Sequence, residues 1–397
     1  MLTKASIISV TRLLICPKVI CVIYFEGGNN LEKHICFISI ILLLTSCSYF
    51  SAQEKFFYND SSKYDIYFNH VGNIGFIQVE AIEKGKIVHG KMKYMATKND
   101  DKMIYKLVNS ADNKVYASVR TPGSSNANRL IVLKKGEIQK EIVFKDNQKP
   151  AEIINDVEKN RVFVELPQFD GRKGAPVRIV DYTTDEYYDC PFYIKGGISG
   201  YGIYGDYIYG ASDNHIFKID RNSLQMKRLS KDYLGYLPND LGVSPNGKIY
   251  ITTNGHVEMI DPDNRATTDF RTDDNLMIYD LNGNFQKKVE LKKWCNQIII
   301  NENGIAYISH PGKRTDSDYL GETLTIFDTN TERIVKTIDG LNGITTMYLK
   351  DGYLFIYTSQ KQSITIMDAS TYEILGEIPI DYKGFCLSMT VLNTKNN

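Results

Sequence analysis

The chain has 397 residues, with 47 basic and 47 acidic side chains, and 27 Tyr and 17 Phe against a single Trp. A chain of this length can bury a large core, and so many aromatic residues suit half-buried strand faces. The even charge balance argues against a protein that works through a basic surface, on nucleic acid or on an anionic membrane.

Residues 1–30 fit neither a leader nor a domain. Arg12, Pro17 and Lys18 interrupt the apolar stretch, which makes it a poor transmembrane helix. The segment reads as unstructured, or as sequence upstream of a true start near Leu31. Residues 35–44, ICFISIILLL, form a ten-residue apolar run preceded by Lys33. Spanning a bilayer takes about 20 residues, so this run has the size of a signal-peptide core. Leu44-Thr45-Ser46-Cys47 resembles the bacterial lipobox. The resemblance implies that 31–46 is a lipoprotein signal peptide, removed before Cys47, and that Cys47 carries the lipid; an uncleaved apolar anchor is the alternative. Polar residues 48–62 then form a tether, and the expected address is the bacterial cell envelope, periplasmic or surface-exposed. Past residue 46 the chain holds 43 basic and 45 acidic groups, and past Cys47 its cysteines are Cys190, Cys295 and Cys386. Their spacings of 105 and 91 residues match no zinc or redox pattern, so they read as small apolar strand residues.

From residue 63 onward the pattern is all-β. Strand-like runs at 64–69, 74–82 and 86–94 are followed by four more at 103–109, 114–120, 129–134 and 138–144, one complete four-stranded unit. Further units fall at about 151–195, 197–230, 236–291, 295–340 and 344–380, and a strand at 384–393 is left over. Within the last two units ETLTIFDTNTERIVKTI, from Glu322, and QSITIMDASTYEILGEI, from Gln362, agree at six of 17 positions. Each is an apolar run, then Asp-x-x-Thr, then a second alternating run, which is two strands and a tight turn. The Asp carboxylate can accept the N–H two residues on and Thr can close the far side, so side chains fix the turn without an obligatory glycine. With Asp181, Asp220, Asp280, Asp328 and Asp368 as markers the steps are 39, 60, 48 and 40 residues; insertions account for the long ones. A period near forty built from strands alone predicts a β-propeller. The first unit offers three strands and the C-terminus one, which predicts a composite closing blade and seven blades in all; six is the alternative if the first unit is irregular.

The run VSPNGKIYITTN from Val243, with LTIFDTNT from Leu324, resembles the YVTN-type, or surface-layer-like, seven-bladed propellers. The resemblance is good over about 197–380 and poor over 57–150. It implies the fold and an exported binding protein more than any activity.

Gly200-Tyr-Gly-Ile-Tyr-Gly205 matches G-x-G-x-x-G, but another strand follows where a dinucleotide site needs a helix, so the glycines are expected to relieve crowding near the axis. His215 and His256 each precede an Asp by five residues, as if at equivalent blade positions. His256, Glu258 and His310 would be the site residues if the chain were an enzyme resembling the streptogramin-lyase propellers. A quinoprotein is disfavoured, since the propellers that hold that cofactor carry a Trp in each blade and this chain has only Trp294. No G-x-S-x-G, H-E-x-x-H or Walker motif is present, and no cofactor, metal or catalytic residue is expected.

Loops between second and third strands are short in units one, four and seven, and long in the others: 121–128, 167–175, 255–275 and 310–321. In a propeller these loops share one face, where rigidly held loops tend to carry binding residues. The ligand-binding candidates are therefore Arg172, Lys173, Arg265, Arg271, Asp273, Lys313, Arg314, Asp316 and Tyr319. Arg with Asp and Tyr suits a glycan, a peptide or the polar surface of a protein partner. The expected function is a membrane-anchored, monomeric, non-catalytic binding or scaffold module, with a lyase-like propeller enzyme as the alternative.

Overall fold

The computed structural model describes residues 58–394 outside 71, 97–102, 120–128, 145–148, 168–173, 213–214, 230–237, 254–255, 262–265, 272–274, 293, 312–322 and 382–385, and for 256–261 and 266–271 only the course of the backbone. Residues 58–397 form one compact unit. It is a ring of seven four-stranded antiparallel sheets, each a blade, named from the inner strand outward.

Blade 2 is β5 (Ile104–Asn109), β6 (Val115–Val119), β7 (Arg129–Lys134) and β8 (Glu137–Val143). Blade 3 is β9 (Ile153–Asp156), β10 (Arg161–Glu165), β11 (Ala175–Asp181) and β12 (Tyr187–Ile194). Blade 4 is β13 (Ile198–Tyr204), β14 (Tyr207–Ser212), β15 (His215–Asp220) and β16 (Met226–Arg228). Blade 5 is β17 (Pro238–Val243), β18 (Lys248–Thr253), β21 (Asn275–Asp280) and β22 (Phe285–Glu290), with an inserted hairpin of β19 (His256–Asp261) and β20 (Ala266–Arg271). Blade 6 is β23 (Ile298–Ile300), β24 (Ile305–His310), β25 (Thr323–Asp328) and β26 (Arg333–Ile338). Blade 7 is β27 (Ile344–Lys350), β28 (Tyr353–Thr358), β29 (Ser363–Asp368) and β30 (Ile374–Pro379).

Blade 1 is composite, as its strand count implied. From the N-terminal side come β1 (Tyr64–His70), β2 (Asn73–Glu83), β3 (Lys86–His89) and a short β4 (Lys93–Ala96) that also pairs with β2; the inner strand is β31 (Met389–Asn393). Tyr64 lies opposite Asn393 and Phe68 opposite Met389. Closing the ring this way removes two open edges.

Each marker Asp ends a third strand. Its carboxylate accepts the N–H two residues on: Thr183 at 2.7 Å from Asp181, Asn222 at 2.8 Å from Asp220, Asn282 at 2.8 Å from Asp280, Asn330 at 2.8 Å from Asp328 and Ser370 at 2.8 Å from Asp368. The local role expected of this residue is the one it has. Four of the turns also need a left-handed residue at the fourth position, filled by Asp185, Leu224, Glu332 and Tyr372 at φ 52–61° rather than by glycine; the side-chain bonds offset the strain that Cβ causes there.

The 60-residue step between Asp220 and Asp280 comes from the β19–β20 hairpin. His215 opens the third strand of blade 4, but His256 opens the inserted hairpin, and the third strand of blade 5 is β21. The two histidines are therefore not at equivalent positions. HVEMID copies the local alternation and terminal Asp of a third strand, while β18 pairs with β21 instead.

The core lies between facing blades. Tyr209 and Ile216 of blade 4 pack on Leu241 and Ile251 of blade 5, and Tyr307 and Ile326 of blade 6 on Leu354 and Ile356 of blade 7. A tyrosine on the second strand often reaches across to the next blade's outer turn. Tyr307 Oη donates to Ala369 O at 2.6 Å, Tyr250 Oη to Thr329 O at 3.1 Å and Tyr116 Oη to Asp185 Oδ1 at 2.5 Å, while Tyr67 Oη accepts from Gly136 N at 2.8 Å. A buried ring with a hydroxyl at its rim buries area and satisfies a turn at once, which explains the tyrosine-rich composition.

The chain joins the ring at the base of β1. Tyr58 Oη donates to Asp65 Oδ2 at 2.6 Å, its ring stacks on Phe76, and Lys135 reaches both that ring and Asp60.

Candidate functional site

Seven inner strands cannot close on the axis, and they leave a cavity of about 470 Å³. Its lining comes from all seven blades, with Lys106, Glu152, Tyr201, Asp240, Tyr348 and Ser388 among the polar contributors. Most lining residues lie before or in the first half of an inner strand: 152 before β9, 199–201 in β13, 239–240 in β17, and 387–389 before and at the start of β31. In an antiparallel blade that end of the inner strand is also where the second strand stops and the third begins. The cavity thus lies toward the face of the long loops.

Glycine sets the width on one side. A Cβ at Gly200 would overlap the Asp240 carboxylate and the Leu241 amide, and one at Gly202 would overlap Val243. The two glycines let β13 lie against β17, the crowding relief expected of them.

At the centre Lys106 Nζ and Glu152 Oε1 form an ion pair at 2.6 Å between blades 2 and 3, with the lysine side chain 32% and the glutamate side chain 8% exposed. Burial alone would favour the neutral amine, but the carboxylate of Glu152, helped by Tyr201 and Asp240, outweighs it and holds the Lys106 pKa above the usual lysine value. Asp240, across the cavity on blade 5, accepts Leu241 N at 2.9 Å on Oδ1 and Ile298 N at 3.0 Å on Oδ2. Burial nevertheless pushes its carboxyl up to about 7, and the opposing pull of Lys106 and the two amides does not bring it back. Tyr201, which accepts Asn155 N at 3.0 Å, is raised to about 12, chiefly by burial. Tyr348 Oη donates to Asn109 Oδ1 at 2.7 Å. Side chains on the rim clasp the next inner strand: Gln297 receives Met347 N at 2.6 Å and donates to Met347 O at 3.1 Å, and Asn239 donates to Cys295 O at 2.6 Å. Such a lining can hold polar groups by fixed donors and acceptors, and Asp240 can exchange a proton near neutral pH.

Of the residues singled out in the sequence, Cys47, Arg172, Lys173, Arg265, Asp273, Lys313, Arg314, Asp316 and Tyr319 lie outside the described residues. Arg271 ends β20 opposite His256 in register, with Glu258 two residues along β19. His310 ends β24, is 2% exposed, and its Nε2 lies 2.9 Å from Thr325 Oγ1; it is packed inside blade 6 and does not line the cavity. Cys190, Cys295 and Cys386 are buried and form no disulfide. Among the described residues no group of three or more His, Cys, Asp or Glu is placed to hold a metal ion.

Sequence reasoning missed Lys106, Glu152 and Asp240. Their signal was a charge in or beside the first strand of a unit, in MIYKLV, PAEIIND and PNDLGV, where a strand facing the axis would otherwise be neutral.

No protein-family model matches the chain, and no curated protein matches it in sequence. Solved structures do resemble it. A candidate 6-phosphogluconolactonase from Bacteroides uniformis ATCC 8492 superposes with a TM-score of 0.56 at 14% identity, over 83% of this chain and 100% of that one. Apo AztD from Citrobacter koseri gives 0.55 at 12% identity, over 84% and 98%. The dihydro-heme d1 dehydrogenase NirN in complex with DHE gives 0.51 at 12% identity, over 86% and 77%. At such identities the likeness concerns the fold, and by fold this chain is a seven-bladed β-propeller.

Proposed function

We propose that the protein is an exported lipoprotein of the YVTN-like kind, anchored through Cys47 to a bacterial envelope membrane, whose propeller binds a polar ligand, a glycan or a protein partner without turning it over. The observation that carries the reading is the polar axial cavity on the face where four long loops are rooted. A cavity of this size, with a few charged groups fixed by a rigid scaffold, suits a binding site. The lipobox and the polar segment after it support the anchoring.

The binding face is tested by replacing Arg271 and Arg314 together with Ala and comparing pull-down and glycan-array binding with the wild type. Binding should weaken while stability stays within about 0.5 kcal/mol of the wild type. If the variant keeps every partner and substitutions on the opposite face lose them, the face is wrong. For the anchor, Cys47→Ser should abolish palmitate labelling and release the protein from the membrane fraction; unchanged membrane association refutes it.

One observation favours an enzyme instead: Asp240, whose carboxyl is raised to about 7, lines the cavity across from Lys106 and can act there as acid or base. Turnover of a captured small molecule that disappears in Asp240→Asn, or in His256→Ala, would establish the lyase-like alternative.

A further inference from the structure

We propose that the axial cavity selects a ligand bearing an ammonium group, which seats against the Asp240 carboxylate. This rests on reading the cavity as the binding site and adds the charge of what enters it.

The charged groups of the described lining are one lysine and two carboxylates. Lys106 is committed to Glu152 at 2.6 Å, whereas both Asp240 oxygens receive only backbone N–H groups. With Asp240 ionised, the lining carries one negative charge more than it carries positive. A desolvated anion that Lys106 balances only in part is costly, and an entering cation offsets that cost. Burial is the main reason that the Asp240 carboxyl is raised, and Lys106 and the two amides oppose it without bringing it back.

Other ligand classes fit less well. An anion at Lys106 would have to share that ammonium with Glu152, and would add a further negative charge to a lining already in excess of them. A neutral polyol would bond to the amides and hydroxyls and leave the excess charge as it is. The phenol rings of Tyr201 and Tyr348, which also line the cavity, are faces on which an ammonium is attracted. The other groups of the described lining that titrate or carry charge are Tyr105 and Lys106 on β5, Glu152 before β9, Tyr201 on β13 and Tyr348 on β27. Tyr201 and Tyr348 are held above the usual tyrosine value, so between pH 6 and pH 8 the change is assigned to Asp240.

A free small amine and a lysine side chain share this chemistry. The purified domain is therefore titrated calorimetrically with 1,4-diaminobutane, with N-acetyl-lysine amide, and with 1,4-butanediol as the uncharged isostere of the diamine. Saturable binding of either amine and none of the diol is expected, and which amine binds tells a free metabolite from a peptide. The amines stay protonated over this range, so binding at pH 6 should be about tenfold weaker than at pH 8, because Asp240 must give up its proton. Asp240→Asn should lose the amine preference; if that variant does not fold, the pH ratio in the wild type still decides. Equal binding of the diol, a pH-independent affinity, or no saturable binding of either amine overturns the proposal. A partner found by pull-down or array that depends on Arg271 and Arg314, in a protein that ignores both amines, would leave the binding function standing and remove the ammonium claim alone.

Discussion

Truncation after Ile380 tests whether the ring needs its last strand. It removes β31 with Met389, Val391 and Leu392, all at most 3% exposed, and the fully buried Cys386. The three larger side chains contribute about 1.5–3 kcal/mol each on burial, so roughly 5–9 kcal/mol is lost from them alone. Asn69 also loses two donors, Leu387 N at 2.7 Å and Ser388 N at 2.9 Å, and the Leu107 amide loses Ser388 Oγ at 2.9 Å. Whole domains are stable by only about 5–15 kcal/mol, so the deletion should consume most or all of that margin and leave β1 with an unpaired edge. Urea unfolding followed by tyrosine fluorescence and far-UV circular dichroism should lose its single transition, and size-exclusion chromatography should show aggregates. A truncated chain with the midpoint and slope of the intact one would refute the reasoning and make 381–397 a dispensable tail.

Gly200→Ala should destabilise the protein by about 2 kcal/mol or more, because the methyl overlaps the backbone of β17 and must push two inner strands apart; denaturant titration measures it, and a change below about 0.5 kcal/mol would mean that β13 and β17 are not in contact. Tyr307→Phe keeps the ring and leaves Ala369 O without its donor, for an expected loss of about 1–2 kcal/mol in the same assay. The turn carboxylates should make the protein acid-sensitive. In Asp220 and Asp368 the turn donors lead, and in Asp280 and Asp328 they outweigh what burial adds, so all four pKa values are lowered; their contribution is complete above the unfolded value of about 3.9 and is lost as the pH falls through the lowered values. Asp240 runs the other way: its carboxyl is raised to about 7, so its contribution falls as the pH rises from about 4 to about 7. Melting curves of Asp240→Asn between pH 5 and pH 8 should be flatter than those of the wild type, whatever the constant offset from its altered hydrogen bonds, and an unchanged slope would refute the assignment.

Much of the fold was legible because its signals are local. The Asp-x-x-Thr turns, the alternation of each strand and the three-plus-one arithmetic of the ends are short-range patterns, and they led to seven blades and the composite closure. Run 86–94, by contrast, divides into β3 and β4, which pair with different parts of β2, and no one-dimensional pattern separates them. His256 misled for a related reason: a hairpin strand and a third strand share the same alternation, and only pairing tells them apart. The cavity was least legible. Lys106, Glu152 and Asp240 are 46 and 88 residues apart in sequence and meet only because a closed ring turns the start of every blade toward one axis. Sequence reasoning looked to long loops for the site, since loop length shows in one dimension and convergence does not.

The place where the chain joins the ring has a mechanical meaning. Tyr64 pairs with Asn393, at the end of the β1–β31 ladder remote from Leu387, Ser388 and Met389, which line the cavity. Tyr58 and Asp60 are fastened on that same remote side, to Asp65 at the start of β1 and to Lys135 between β7 and β8. A pull on the chain upstream of Tyr58 is therefore taken up by a hydroxyl, an ion pair and a stacked ring on the far rim, before any force reaches an inner strand. A load applied through Tyr58 thus acts on the rim opposite the mouth of the cavity, and the inner strands that line it are the last to feel it.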